Sequence, residues 1–482
     1  MSLDHDDDLL NTLSSSSRYA NQSKLESKLE AELAQLEQQR AEIARRQQME
    51  YLGGVISDNA TTPVFVRNVQ ITNGQAYRSS FLQSQFNQFT NKQPLTLAEL
   101  MRGLDRTCRQ FQKLGMVDQC VVQLHQVNGR QLSVVPVFNT VPIKRFFAKT
   151  GTNIGNGEGD GYIQFQLRNL FGGGEHLAFD AVTGTKTNSS YLLNYRMPIA
   201  NNGDHMFDIS AYSNSRQHDW FGSNVYNRGI TTKIYSQYDK EVSPINHDLS
   251  LETCFRTLDN LSSKSSDVIL QSGVHLKTSL LYNAVYDTRD NAHLPFRGQY
   301  ARLGLEHNGF TSLVKFPYSK LVAETQSAHS LGHHQLIFTN KAGVIVPHSK
   351  YGTSIMDRFF IGGPNDVRAF LLNGLGPKQF TSAVGGNTFF NGGVSLVSPI
   401  PWLKDAEQSG FRLHSFINYG KLVATTDVHQ LLTKGYSSSI GVGILFNHPM
   451  ARFELNFVLP VTAHQRDLER KGLQWGIGVS FL

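Results

Sequence analysis

Several residues in this chain of 482 could do chemistry by type and spacing. Asp287, Arg289 and Asp290 put two carboxylates beside a guanidinium, a set that could move protons. Asn291, Pro295 and Gly298 follow at once and mark the group as a strand-turn constellation instead. Gly151, Gly155, Gly157, Gly159 and Gly161 imitate a phosphate-cradling loop, but no helical pattern follows to supply an N-terminus, so a hairpin tip is expected. His333 and His334 fall on opposite faces of a strand and cannot share a metal. Cys108, Cys120 and Cys254 cannot all pair and have no metal-ligand spacing. No dinucleotide fingerprint, Walker loop or His-Glu-x-x-His run occurs. No catalytic, cofactor-binding or metal site is therefore expected. One recognition group remains. Gly362-Gly363-Pro364 and then Gly374, Gly376 and Pro377 describe a long loop that turns sharply twice and can fold back into a wide lumen. Arg368 is the guanidinium between those turns, suited to gripping carboxylate and carbonyl oxygens where water is partly excluded.

The elements that must position such a loop are strands. Only 17% of residues are charged, whereas Gly reaches 41, Phe 30 and Tyr 17. No run of about 18 uncharged apolar residues occurs, which excludes a helical membrane span and leaves a soluble all-β protein or a membrane barrel. The last nine residues favour the barrel. Trp475, Ile477, Val479 and Phe481 alternate with Gln474, Gly476, Gly478 and Ser480, one oily face and one wet. A barrel must finish on a strand that pairs back to its first. From Phe146 onward, segments such as Tyr162 to Asn169, Glu175 to Gly184, Phe411 to Tyr419 and Arg452 to Leu459 repeat this alternation between Gly, Asn, Asp and Pro clusters. Residues 144–482 divide into 16 units of roughly 21 residues, enough for spanning strands of about 9 to 11.

Ahead of the barrel lies a different pattern. Residues 1–20 are Ser- and Asp-rich, which predicts a disordered tail. Residues 21–61 hold a helix from Lys24 to Met49 with a narrow apolar seam, either a solvated lead-in or a face that docks on a partner or membrane surface. Residues 62–143 read as one compact domain of order β-α-α-β-β. Its strand Val64–Ile71 is closed by Asn73-Gly74, and helices follow over Tyr77–Phe89 and Thr96–Leu114. Thr96 and Glu99 form a capping box, and two strands are joined at Asn128-Gly129. The N-terminus has neither a secretory signal nor an Arg-rich transit peptide, so synthesis in a eukaryotic cytosol followed by import is expected. A formal charge of +6 without a basic run gives no support for nucleic acid as a partner.

Separated motifs occurring in one order carry a family resemblance. They are Asn169-Leu-Phe-Gly-Gly-Gly174; Tyr286-Asp-Thr-Arg-Asp290 with Pro295 and Gly298; Phe360-Ile-Gly-Gly363 with Val367-Arg-Ala-Phe370; Phe416-Ile-Asn-Tyr-Gly420; and Arg452-Phe-Glu454. The chain resembles the outer-membrane barrel-assembly superfamily that includes the bacterial factor BamA, and within it the core subunits of the mitochondrial sorting and assembly machinery. Lys149-Thr-Gly-Thr-Asn153 and His448-Pro-Met-Ala-Arg-Phe-Glu-Leu-Asn-Phe457 are similar to fungal forms, and Gln474, Gly476, Val479 and Phe481 match the terminal sorting signal of mitochondrial barrels. The resemblance covers about residues 62–482.

It implies a 16-stranded transmembrane antiparallel β-barrel preceded by one polypeptide-transport-associated (POTRA) repeat. It also implies an inward loop over about 350–378, in which Arg368 with Gly362, Gly363, Val367 and Phe370 locks onto the barrel wall. Asn418 and Glu454 share the lumen-facing set of their strands and are the expected partners. Ala369 stands where the family has Gly, which is tolerable if φ stays negative there, and Asn418 stands where bacterial relatives have Asp. The implied function is insertion of β-barrel precursors into the mitochondrial outer membrane. The implied route is a lateral gate between a first strand, Phe146 with Lys149, Thr150, Gly151, Thr152 and Asn153, and a last, Gln474 with Gly476, Gly478, Val479 and Phe481. Gly151, Gly476 and Gly478 offer no side chains to reinforce the seam. The implied partners are β-barrel precursors, cytosolic-face peripheral subunits of the machinery, an inner-membrane contact-site complex and the lipid bilayer, with the N-terminus and POTRA domain in the intermembrane space. Alternatives are a polypeptide-translocating channel, a passive diffusion pore and an outer-membrane hydrolase, the last without a supporting motif.

Overall fold

A computed structural model describes residues 40–91, 94–127, 132–155, 158–185, 189–402, 409–433, 435–448, 451–464 and 466–478. The expected tail, most of the expected N-terminal helix, the Asn128-Gly129 turn, and Val479 and Phe481 lie outside the described residues. The chain divides into two compact units. One takes the residues up to Thr72 with Phe86–Cys108 and Val121–Asn139, the other Asn73–Gln85, Arg109–Cys120 and Thr140 onward. The residues read above as one small domain are thus shared between them.

In the first unit the helix α1 covers residues 40–58 and runs past the expected end at Met49, through Gly53 and Gly54, to Asn59, whose side-chain Nδ2 donates to the Val55 carbonyl. Strand β1 (Pro63–Val66) pairs antiparallel with β3 (Leu95–Thr96) and parallel with β5 (Ser133–Pro142), β2 (Gln70–Ile71) pairs parallel with β5, and β4 (Val117–Val127) also pairs with β5. The expected single strand over Val64–Ile71 is therefore two short ones. Phe89, Leu100, Leu104 and Phe138 are buried between this sheet and the portions of α2 (Ser79–Thr90) and α3 (Leu97–Lys113) that belong here. Gly103 is obligatory for that packing, since a Cβ would stand 2.7 Å from the Phe89 ring. The capping box forms as expected: Glu99 N–H donates to Thr96 Oγ1 at 3.2 Å and Thr96 N–H to Glu99 Oε2 at 3.0 Å.

The second unit holds sixteen antiparallel strands in sequence order. They are β6 (Phe146–Gly155), β7 (Glu158–Arg168), β8 (His176–Gly184), β9 (Ser190–Ile199), β10 (Asn202–His218), β11 (Ser223–Ser236), β12 (Ile245–Asn260) and β13 (Gly273–Asp287). Then come β14 (Gly298–Asn308), β15 (Tyr318–Leu331) and β16 (His334–Pro347); a two-strand insertion, β17 (Lys378–Gln379) and β18 (Ser382–Ala383); and β19 (Thr388–Ser398), β20 (Phe411–Val423), β21 (Ser437–Asn447), β22 (Arg452–Thr462) and β23 (Gly472–Gly478). Short helices α4 (Ser266–Gln271) and α5 (His429–Leu432) sit in two connections. Gly155, Gly159 and Gly161 belong to β6 and β7, so the glycine-rich run is mostly strand and less a hairpin tip than expected. Among the described residues the ladder ends at β6 on one side and β23 on the other.

Alternation sorts the barrel's side chains. Leu249, Leu251, Phe255, Ile440, Leu455, Phe457 and Trp475 are exposed on one face, while Gln335, Asn391, His414, Asn418, Glu454, Asn456 and Gln474 are buried on the other. A polar interior and an apolar exterior define an outer-membrane type of barrel. The turn with Asp287 is structural: Arg289 donates from Nε and Nη2 to both Asp287 oxygens at 3.0 Å, Pro295 is buried, and Gly298 holds φ +111° with no room for a Cβ beside the Thr288 carbonyl.

The box at the start of α3 yields a stability test. Thr96→Ala should cost about 1 kcal/mol, seen as roughly fivefold faster amide exchange in the first turn of α3. Unchanged exchange there would show that the cap contributes nothing.

Candidate functional site

The connection between β16 and β19, residues 348–387, supplies the site. Positive φ at Gly362 (+106°), Gly363 (+129°) and Gly376 (+89°) creates the two reversals read from the sequence. Between them Val367, Arg368, Ala369 and Phe370 are fully buried. Val367 and Phe370 pack with Tyr318, Ile345, Ile361, Leu375, Phe389 and Leu422 in one core cluster. Gly420 on β20 makes way for this insertion, because a Cβ there would come within 2.7 Å of Val367 Cγ2.

Arg368 meets both of its expected partners. Nη1 donates to Asn418 Oδ1 at 2.9 Å, and Nη2 and Nε donate to Glu454 Oε2 at 2.8 and 3.2 Å. Its guanidinium also lies 4.5 Å from the centre of the Phe416 ring. Sequence reasoning missed four further members. Arg452 pairs with the other oxygen of Glu454, so a single carboxylate serves two guanidiniums. Asn456 Nδ2 donates to Glu454 Oε2 at 2.8 Å, and Asn456 Oδ1 accepts from His414 Nδ1 at 3.2 Å, which leaves His414 Nε2 to accept from the Ser395 hydroxyl at 3.1 Å. All sit on the inward set of their strands. That alternation was the one clue available, since nothing local pairs residues 395, 414 and 456.

Ala369 departs from expectation: its φ is +67°, the left-handed region. The local hydrogen bonding forces this. Ala369 N–H donates to Gln474 Oε1 at 3.1 Å while its carbonyl accepts from Arg470 N–H at 2.9 Å, so the peptide must face β23 on one side and the β22–β23 connection on the other. More stitches join the same elements. Asn365 Nδ2 donates to the Ile477 carbonyl at 2.9 Å, Leu371 N–H to the Leu468 carbonyl at 2.9 Å, and Leu468 N–H to the Gly374 carbonyl at 3.0 Å. Gln474, expected only as a gate-strand residue, is thus also a partner of the loop. Gly476 and Gly478 lie across from Glu454 and Arg452.

A second anchor fixes the loop to the other wall. Asp357 accepts both forks of Arg256, at 2.7 and 2.8 Å, and the Tyr318 hydroxyl at 3.0 Å, with both charged side chains buried. Next in sequence, Arg358 pairs with Asp267 of α4 at 2.7 Å. Burial alone would raise the Asp267 carboxyl, but hydrogen bonds from Arg358 and Gln379 and the Arg358 charge outweigh it and hold its pKa below the ordinary value. Lys277 bridges Glu252 at 3.0 Å and Glu306 at 2.8 Å beside this anchor.

At the other end of the candidate seam, β6 pairs with β7 along its length, with Phe146 opposite Leu167, Thr150 opposite Ile163, Thr152 opposite Gly161 and Asn153 opposite Asp160. Gly151 is not bare as the sequence suggested. The Tyr162 ring lies over it, its hydroxyl 2.7 Å from where a Cβ would stand, and Lys149 approaches the same ring at 5.6 Å. Among the described residues no group of three or more His, Cys, Asp and Glu could hold a metal ion.

Residues 169–481 match the model of the Omp85 superfamily domain. The chain is 33% identical to the sorting assembly machinery 50 kDa subunit of Saccharomyces cerevisiae, over 73% of this chain and 78% of that protein. The chain belongs to the Omp85 superfamily, in the branch of these 50 kDa subunits. It is also 28% identical to a SAM50-like protein of Schizosaccharomyces pombe, with 92% of this chain and 96% of that protein covered. The fold is shared with BamA from Haemophilus ducreyi lacking POTRA domains 1–3, at a TM-score of 0.71 and 14% identity, over 86% of this chain and 84% of that one.

Two substitutions test the site. Glu454→Gln keeps the shape but strips two buried guanidiniums of their anion, and should destabilise the barrel by about 3–5 kcal/mol, lowering the temperature at which its gel migration shifts from folded to unfolded. An unchanged midpoint would mean the pair carries no load. Ala369→Gly should raise that midpoint by relieving about 1–2 kcal/mol of left-handed strain, and a fall would contradict the φ assignment.

Proposed function

We propose that this protein folds β-barrel precursors and inserts them into the mitochondrial outer membrane through a lateral gate between β6 and β23. No covalent chemistry and no cofactor is needed. The problem is one of unpaired backbone: a strand entering hydrocarbon alone exposes N–H and C=O groups that cost several kcal/mol each. A template strand that pairs them during entry removes that barrier, and β-augmentation on an exposed edge is the physical means.

The observation that carries this reading is the stitching of the inward loop to the last hairpin. Asn365, Ala369 and Leu371 hold Ile477, Gln474 and Leu468 from the lumen side, so the last strand has a scaffold other than its neighbour across the seam. With β23 supported in this way, β6 is the strand free to accept a precursor's terminal strand, and later hairpins follow in turn. Membership of the Omp85 superfamily and likeness to subunits named for sorting and assembly support the same reading. The N-terminus and the transport-associated residues then face the intermembrane space, where precursors and an inner-membrane contact-site complex would be met. Peripheral subunits of the machinery would bind the cytosolic loops. A polypeptide-translocating channel is the second reading. The buried loop and its charged anchors, which fill part of the lumen, favour sideways release over passage.

Cysteines placed in β6 over 146–153 should cross-link to the terminal strand of a porin precursor arrested during assembly. Cross-links confined to lumen residues of β12–β15 would favour the channel. Depleting the protein should halt porin assembly while leaving soluble precursors unaffected.

A further inference from the structure

The outer wall of β13–β16 carries a groove of about 350 Å³ that the lock and gate do not use. Its floor is apolar. Leu305, Leu321 and Val344 form one row in register, and Leu280 and Val346 flank the next, all on the outward face. His307 and Ser319 interrupt that second row, standing between Leu280 and Val346. His307 Nδ1 lies 3.0 Å from Ser319 Oγ, and Ser319 Oγ lies 2.8 Å from His348 Nε2, giving an exposed relay of hydrogen-bonding groups at the barrel end that also bears the inward loop.

Charge at this rim has one sign. The connection from Asn308 to Pro317 contains Lys315 and no acid, and the stretch from Val346 to Tyr351 contains Lys350 and no acid. Both ammonium groups approach the exposed Tyr351 ring, at 5.9 and 5.3 Å. Glu306 is among the residues lining the groove, but its carboxylate is engaged elsewhere, pairing with Lys277 and accepting from Tyr318.

We propose that this groove binds one anionic glycerophospholipid of the leaflet at the loop-bearing end. An acyl chain lies along Leu305, Leu321 and Val344, the phosphodiester accepts from the histidine and serine groups, and Lys315 and Lys350 select a headgroup of net negative charge. An apolar groove alone would take any chain. The polar break and the paired lysines at headgroup depth make it selective. The proposal rests on the barrel's place in a bilayer and is independent of the insertase reading.

The full chain, released from detergent micelles into native mass spectrometry with dioleoyl phosphatidylserine or dioleoyl phosphatidylcholine, gives the test. The wild type should retain one phosphatidylserine in preference. Lys315→Gln with Lys350→Gln should lower phosphatidylserine retention roughly 25-fold, about fivefold per lysine, and leave phosphatidylcholine unchanged. Leu305→Trp, which fills the groove, should lower retention of both, with folded gel migration intact in each variant. Equal retention of the two lipids by the wild type would overturn the proposal. So would unchanged phosphatidylserine in either variant, or its displacement by an equal concentration of inorganic phosphate.

Discussion

One buried carboxylate orders the lumen. Glu454 is almost completely shielded from solvent and lies between Arg368 of the loop and Arg452 of its own strand. Two cations and one anion in such a place are tolerable only if every remaining donor and acceptor is engaged. Asn418, Asn456, His414 and Ser395 supply part of that engagement, in a chain that crosses β19, β20 and β22. With Asn at 418, where a second carboxylate could have balanced the charge, the arrangement has no spare anion. Glu454 therefore has to be held in one place, and the neighbouring polar residues hold it.

That constraint explains why the loop makes two kinds of contact. Toward β22 and β23 it forms backbone stitches and the Arg368 fork; toward β12 and β15 it forms the Asp357 and Arg256 pair and the Tyr318 hydroxyl bond. A strap fixed at both walls cannot be displaced at one end without loading the other. Removing one partner of either pair leaves an uncompensated buried charge, an effect of about 3–5 kcal/mol. The last strand is thus part of the lumen's polar network as well as of the β-ladder.

The strand alternation, the two glycine reversals and the capping box were readable because each depends on a period of two, a turn residue or a fixed local spacing, whereas the placement of Arg368 against the barrel wall came from the family resemblance, with strand parity naming Asn418 and Glu454. The missing parts are those in which residues distant in sequence meet. Arg256 and Asp357 are separated by 101 positions, and parity could say that Arg256 faces inward without saying what it meets. Ala369 was misread for a related reason. Its left-handed backbone follows from bonds to Gln474 and Arg470, which no local rule anticipates. Gly151 looked like a weak point of the seam until the Tyr162 ring filled the space above it.

The central claim is that the loop's grip on the barrel wall is a working part of barrel assembly. A double-mutant cycle of Arg368→Ala and Glu454→Gln, read as the yield of membrane-assembled porin precursor in isolated mitochondria, tests it most directly. If the two side chains act as one device, each single variant lowers the yield and the double variant lowers it no further. Losses that multiply, or single variants that assemble porin at the wild-type yield, would contradict the account.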